Sequence, residues 1–287
     1  EIEDFAPGDK GYEDESFYFG GKLYYEADLE AAVAPLAKKV AADFKRAFPL
    51  GMINYKVTTA YGRKLDRMPL SEYLIRTPGI PTWVKDLVEV AYYTEYGLEI
   101  ENQSTLNLIS LMDSDASGFR MYGQSDETKR IVGGNGKLSQ ALEAAILAAK
   151  MPIYREHKLV RLEQTAVKGK AQLAMTFESP DGVKNVTSAH SVVALPYTVL
   201  RTVNGIESLD IPAAKKASIM ELGYGLNSKH MFSFNSRFWR DKDPKVRAST
   251  GTVFMDTDSQ CFWETSRLQK GQKGILTNFL AGKHASG

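Results

Sequence analysis

The chain has 287 residues, 43% of them hydrophobic and 25% charged, the proportions of a globular protein with a substantial core. Lys and Arg number 36 against 35 Asp and Glu, a net charge of +1 that gives no reason to expect nucleic acid or an anionic membrane as partner. One cysteine, Cys261, excludes an internal disulfide and a cysteine-built zinc site, and the four histidines are too scattered for a metal cluster.

No apolar run approaches the ~20 residues needed to span a bilayer, and no signal peptide is visible. The chain opens Glu1-Ile2-Glu3-Asp4 without methionine and stops at Ala285-Ser286-Gly287, so both ends read as cuts. A soluble protein is expected, cytoplasmic or exported, with compartment and oligomeric state left open.

Phe17 to Tyr25 reads as a hairpin, with aromatic arms around Gly20-Gly21. Asp28 is placed to cap an Ala-rich helix running to Phe48, with an apolar stripe at Leu29, Val33, Leu36, Val40 and Phe44. Ser71 is expected to cap a short helix through Leu74. Pro81 suits the first turn of a helix from Thr82 to Tyr96, which Gly97 ends. A further helix is predicted from Ser104 to Met112. Tyr92, Tyr93 and Tyr96, at helical spacing, read as core or interface.

The pattern changes near Lys129. Arg130-Ile131-Val132 is a short strand, Gly133-Gly134-Asn135-Gly136 a tight turn, and Leu138 to Lys150 a helix. Strands are predicted over 158–164, 171–179, 183–188 and 191–195, with Pro180-Asp181-Gly182 turning the middle pair. After Pro212 a helix to Leu222 leads into strands over 228–234, 250–255, 261–265 and 275–280. Helices, then a small α/β block, then antiparallel strands suggest one domain built from both chain ends and a second inserted between them.

The Gly133–Gly136 turn before a helix could aim backbone N–H groups at an anion. Its spacing is not G-x-G-x-x-G, and no ribose-binding acid follows at the usual distance, so alone it reads better as a structural turn. Neither His230 nor His284 sits near a nucleophile motif, and Cys261 has no elbow-like context, which argues against a hydrolase. On a strand, Lys229, Met231 and Ser233 share one face, while His230, Phe232 and Phe234 take the other. By itself Lys229 reads as a strand-end lysine reaching solvent.

Taken in order, several segments resemble the flavin-containing amine oxidase family, which includes the monoamine oxidases. Gly133 to Ser139 looks like that family's internal glycine turn, and Leu159 to Gln164 like the strand that lies along the flavin's adenosine. Val192-Val193-Ala194-Leu195-Pro196 looks like the exit of the cofactor domain. Leu222-Gly223-Tyr224-Gly225, then Lys229, then Arg237-Phe238-Trp239, looks like the segment bearing the active-site lysine. Trp263 to Ser266 and Gly274 to Phe279 look like bacterial versions of the substrate domain.

The resemblance implies an α+β fold: a mixed, largely antiparallel sheet with helices, carrying an inserted α/β portion of an FAD-binding domain. It implies substrate-domain parts at 1–127 and 206–287 around an FAD-domain part at 128–205. It implies Lys229 as the lysine that holds a water against flavin N5. Val160 would contact adenine through its backbone, Gly133 and Gly134 would serve the cofactor turn, and Leu106, Ile109 and Trp263 would line the substrate cavity. The activity implied is oxidation of a small amine by hydride transfer to FAD, with O2 as acceptor, giving imine and hydrogen peroxide. The family's N-terminal Rossmann motif and C-terminal flavin segment do not appear, so an interior fragment is expected, inactive and unable to hold FAD alone. Alternatives are an L-amino-acid oxidase, for which Arg120 or Arg63 could meet the carboxylate, a polyamine oxidase, or a non-catalytic binding module.

Overall fold

The computed structural model describes residues 2–4, 6–52, 59–115, 119–123, 128–167 and 169–286. In chain order the first elements are β1 (Ile2–Asp4), α1 (Ala6–Asp9), β2 (Glu13–Phe19), β3 (Lys22–Tyr25), α2 (Glu26–Ala47), α3 (Ala60–Asp66), α4 (Leu70–Ile75), α5 (Thr82–Tyr96), α6 (Thr105–Leu111) and β4 (Lys129–Ile131). Then come α7 (Gly136–Ala148), β5 (Lys158–Val167), β6 (Lys170–Ser179), β7 (Gly182–Ser188), α8 (Tyr197–Leu200) and α9 (Ala213–Glu221). The chain ends with β8 (Asn227–Phe234), β9 (Ser249–Met255), β10 (Cys261–Glu264) and β11 (Gly274–Ala281). The fold is α+β, and among the described residues no helix is long and apolar enough to cross a membrane.

The chain divides into two units, Glu1–Val132 with Gly225–Gly287, and Gly133–Tyr224. The first is built on a six-stranded sheet of order β3-β2-β9-β10-β11-β8, antiparallel except where β2 runs parallel to β9. β2 and β3 form the expected hairpin, with Phe17 opposite Tyr24 and Tyr18 opposite Leu23. β4 pairs with β1 in the same unit, so the strand read as the start of the α/β block belongs to the first unit.

The helices cover one sheet face. Val33, Leu36 and Val40 of α2, Val84, Leu87 and Val88 of α5, and Leu108 of α6 are essentially buried and join Phe17, Phe254 and Cys261 in one core. Period-3.6 spacing of these residues is what places them on one stripe of each helix. Trp83 of α5 stacks on Tyr24, ring centroids 4.1 Å apart, and meets Phe17 at 6.5 Å. Tyr92 and Tyr93 are buried here, as their spacing suggests.

Helix ends differ from expectation in chemistry more than in place. Asp28 is the third residue of α2 and accepts the Tyr25 N–H at 2.9 Å, so it caps from inside the first turn. α4 starts after Pro69, with Ser71 already inside it. α6 falls within the helix expected from Ser104 to Met112, and Ser104 caps it, its Oγ accepting the Leu106 N–H at 3.1 Å. Pro81 precedes α5, and Gly97, at φ 66°, ends it.

Two charged clusters hold the first unit. Asp43 of α2 accepts from Lys39 Nζ at 2.6 Å and from the Tyr61 and Tyr73 hydroxyls at 2.8 Å each, joining α2, α3 and α4. Glu264 of β10 accepts from Trp239 Nε1 at 2.9 Å, Arg240 Nε at 2.7 Å and Ser266 Oγ at 2.8 Å. Burial would raise its carboxyl, but those hydrogen bonds and the Arg240 charge outweigh it and hold Glu264 below its ordinary range.

In the second unit β5, β6 and β7 form an antiparallel meander. Its core is Leu162, Leu200, Val203, Ile206, Leu209 and Ile219. Because Ile206, Leu209 and Ile219 bury there, the unit runs to Tyr224, whereas the sequence reading ended the inserted block at 205. The strand expected over 191–195 does not form: these residues join no ladder among the described residues, and Val192 is 97% exposed. An apolar pattern makes a strand only beside a partner edge.

The C-terminal end of α5 meets the start of β8 backbone to backbone. The Leu226 N–H donates to the Gly97 carbonyl at 2.7 Å, the Gly282 N–H to the Leu226 carbonyl at 3.0 Å, and Asn227 Nδ2 to the Thr94 carbonyl at 2.9 Å. A Cβ on Gly225 would lie 1.9 Å from the Tyr96 carbonyl oxygen, so only glycine allows this approach. Gly225→Ala is expected to destabilise the chain by about 1–3 kcal/mol in urea unfolding. Gly223→Ala, whose Cβ meets nothing within 4 Å, should leave the midpoint in place.

Candidate functional site

β8 forms one edge of the sheet, paired with β11 through eight residues, Asn227 opposite Ala281 to Phe234 opposite Gly274. Lys229 faces Phe279, Phe279 faces Cys261, and Cys261 faces Phe254. Paired residues project to the same face, so this row runs from the edge lysine into the aromatic core. Trp263, opposite Thr277, lies in the next row and packs edge-on to Phe279, centroids 5.3 Å apart.

Lys229 Nζ sits 5.3 Å from the Trp263 ring centroid and 5.0 Å from that of Phe279. Both lie within cation–π range, and such a contact contributes roughly 0.5–1 kcal/mol at an exposed site. Lys229 is exposed, and among the described residues it has no carboxylate within 4 Å. The side chain is therefore steered over two rings rather than neutralised, and its three N–H donors stay available. The predicted face pattern holds: His230, paired with Asn278, points to the other side of the sheet.

The other sequence candidates fall elsewhere. Leu106, half-buried, and Ile109, buried, lie on α6, which packs against α2, α3 and α4. Gly133 and Gly134 both have positive φ, 84° and 92°, and lead into α7. α7 has no side-chain cap, and the first-turn N–H groups of Lys137 and Leu138 donate to the Gly134 and Asn135 carbonyls at 3.2 and 3.1 Å. Val160 falls at the irregularity in the β5–β6 register between Leu159 and Arg161, which takes its peptide out of that ladder. Its carbonyl instead accepts the Asn204 N–H at 3.0 Å and Asn204 Nδ2 at 3.2 Å. What these residues offer a dinucleotide is backbone alone, two glycines at positive φ ahead of a helix N-terminus.

Sequence reasoning missed Phe279 and Glu15. Phe279 is recognisable only once β11 is registered against β8. Glu15 lies on the same face of β2 as Phe17, two residues along. Burial raises its carboxyl to about 7, helped by the charges of Asp14 and Glu26 and opposed by Arg120 and Arg267. A charged residue inside an alternating aromatic strand was the available signal. Cys261 is buried, its thiol pushed up by burial and by Glu15, which removes it as a nucleophile. Arg120 is engaged with Asp14 at 3.2 Å and Glu26 at 3.8 Å.

Glu15 carries a pH prediction. With the folded carboxyl raised from 4.5 to about 7, the folded state holds a proton that the unfolded chain has released. Stability is therefore lost as pH rises from about 4.5 to about 7. Glu15→Gln removes that loss. It should stabilise the chain by roughly 1–2 kcal/mol above pH 7 and by nothing near pH 4, read from denaturant midpoints across pH.

No curated protein matches the chain. Solved structures do: a putrescine oxidase triple mutant from a redesign of cofactor binding aligns with TM-score 0.71 and 14% identity, covering 100% of this chain and 60% of that one. The wild-type putrescine oxidase bound to putrescine aligns with TM-score 0.70 at 14% identity and the same coverage. A double mutant of the same enzyme gives 0.68 at 13%. The chain thus spans about 60% of the length of the solved structures it matches, and at such identities the likeness speaks for the fold. The family model described as flavin containing amine oxidoreductase matches residues 14–287, nearly the whole chain. With that match, and with a fold shared with putrescine oxidase, the chain belongs to the flavin containing amine oxidoreductase family.

Proposed function

We propose that this chain carries the substrate-facing sheet and part of the FAD-binding domain of an amine oxidase. The observation that carries the reading is Lys229, held over Trp263 and Phe279 on an edge strand with no neutralising acid among the described residues. When bound, FAD would supply the chemistry, accepting a hydride from the carbon next to an amine nitrogen and passing the electrons to O2, with imine and hydrogen peroxide as products.

The residues of the chain then have separable tasks. The Lys229 ammonium offers three donors, enough to hold a water and to stabilise negative charge that develops beside it. Trp263 and Phe279 hold that ammonium over their ring faces, which orients its donors. Leu106 and Trp263 are assigned a substrate-facing role, and Ile109, buried beneath, fixes α6. Gly133, Gly134 and Val160 are assigned to the cofactor through their backbones. On this reading 1–132 and 225–287 make up the substrate domain, and 133–224 the FAD-domain portion.

The engagement of Arg120 with Asp14 and Glu26 weighs against a substrate carboxylate at that position, and so favours simple amines over L-amino acids. The putrescine bound to the structural neighbour is a member of that amine class. An activity of the longer protein does not require one of the chain alone, because G-x-G-x-x-G spacing is missing from the sequence. The 287-residue chain is expected to emerge from gel filtration without FAD; stoichiometric flavin in the protein peak would contradict this.

Lys229→Met tests the site in a full-length enzyme. Met keeps length and apolar bulk but has no donor. The variant should fold and hold FAD, yet lose at least roughly tenfold in flavin reduction or reoxidation, ~1.4 kcal/mol of barrier. Near wild-type rates for both half-reactions in stopped flow would make Lys229 a solvated edge residue.

A further inference from the structure

On the helical side of the first unit lies a cavity of about 170 Å³, lined by Lys39, Tyr61, Lys64, Leu65, Met68, Tyr73 and Arg76. It opens between α2, α3 and α4, and neither Lys229 nor Trp263 lines it. Its volume exceeds that of a few waters, so it can admit a small polyatomic ligand.

The bonding capacity of the walls is one-sided. Asp43, behind the cavity, is saturated by Lys39, Tyr61 and Tyr73. Burial would raise its carboxyl, but those hydrogen bonds hold it below its ordinary range, so Asp43 stays ionised and keeps Lys39 turned inward. Lys39 Nζ also lies 4.3 Å from the Tyr73 ring centroid, and the Arg46 guanidinium 3.9 Å from that of Tyr61. Both phenol rings are thus capped by cations. Arg76 meets Glu72 through one nitrogen at 2.7 Å, leaving most of its five donors open. Lys64 has no carboxylate within 4 Å among the described residues. Two solvent-facing cations, Lys64 and Arg76, thus keep donors free of protein acceptors, beside the apolar lining residues Leu65 and Met68.

We propose that this cavity is a binding site for a small oxyanion, a carboxylate or a phosphate, held by Lys64 and Arg76 and resting on Leu65 and Met68. Guanidinium and ammonium donors make charge-assisted hydrogen bonds to such oxygens, and Arg matches their planar geometry in particular. A cationic ligand is disfavoured by the same count, since Lys39, Lys64 and Arg76 line the pocket and the carboxylate of Asp43 is already occupied. The site does not depend on the amine-oxidase reading, so either can fail alone.

The test uses the whole 287-residue chain with labelled methionine methyls, reporting through Met68. Inorganic phosphate and acetate are titrated separately at constant ionic strength, with chloride as the control for screening. A saturable Met68 shift with either oxyanion and none with chloride is expected. Phosphate binding the tighter identifies a phosphoryl ligand, and acetate a carboxylate. Lys64→Gln with Arg76→Gln, both exposed and outside the Asp43 cluster, should weaken binding roughly tenfold or more. A linear shift with both anions, a response to chloride equal to theirs, or unchanged affinity in the double variant overturns the proposal. Should the variant fail to fold, the wild-type titration against chloride decides by itself.

Discussion

The first unit depends on one close approach of backbone to backbone. Gly97, which ends α5, and Gly225, just before β8, lie where a single Cβ would collide, at Gly97 with Asn227 Oδ1 and at Gly225 with the Tyr96 carbonyl oxygen. Because neither has one, Leu226 bonds Gly97 and accepts from Gly282, and Asn227 reaches back to Thr94. Hydrogen bonds that bring together residues some 130 positions apart in the chain fix where β8 begins. Side chains alternate from that point, so the clasp decides that Lys229 faces the aromatic rows and His230 does not.

The sheet separates charges along its aromatic face. At the β8 edge, an exposed ammonium is steered by ring quadrupoles over Trp263 and Phe279 without an ion-pair partner among the described residues. Farther along, on β2, the Glu15 carboxyl is drawn toward neutrality by burial and by the charges of Asp14 and Glu26. Between them Glu264, on the opposite face, is saturated with donors and serves only to hold β10 to the segment 237–240. Charge that is fully paired builds structure, and charge left underpaired is where chemistry has room to act.

The second unit shows the reverse imbalance, apolar surface without cover. α7 has no buried residue, Leu138 and Leu142 are 59% and 58% exposed, and Val192 stands in extended chain with no ladder. Its own core of six residues binds the meander to α8 and α9 and leaves α7 outside. A helix of this composition is stabilised by packing far more than by propensity.

Local chemistry was legible from the sequence alone: the Gly20-Gly21 hairpin, α5 between Pro81 and Gly97, and the meander turned at 180–182. These depend on contacts within a few residues, which propensity and periodicity encode directly. The alternation around Lys229 was equally plain. The partners were not. That Phe279 and Trp263 frame the lysine depends on the register of three strands, and that 206–224 completes the meander's core depends on Ile206 and Ile219 reaching Leu162. Lys39 and Asp43 are four residues apart on α2, but the gathering of Tyr61 and Tyr73 onto Asp43 had no sequence signature, because they come from two other helices. A segment's pattern states which face wants burial, but only the folded chain, with its loop closures and pairings, decides against what it is buried.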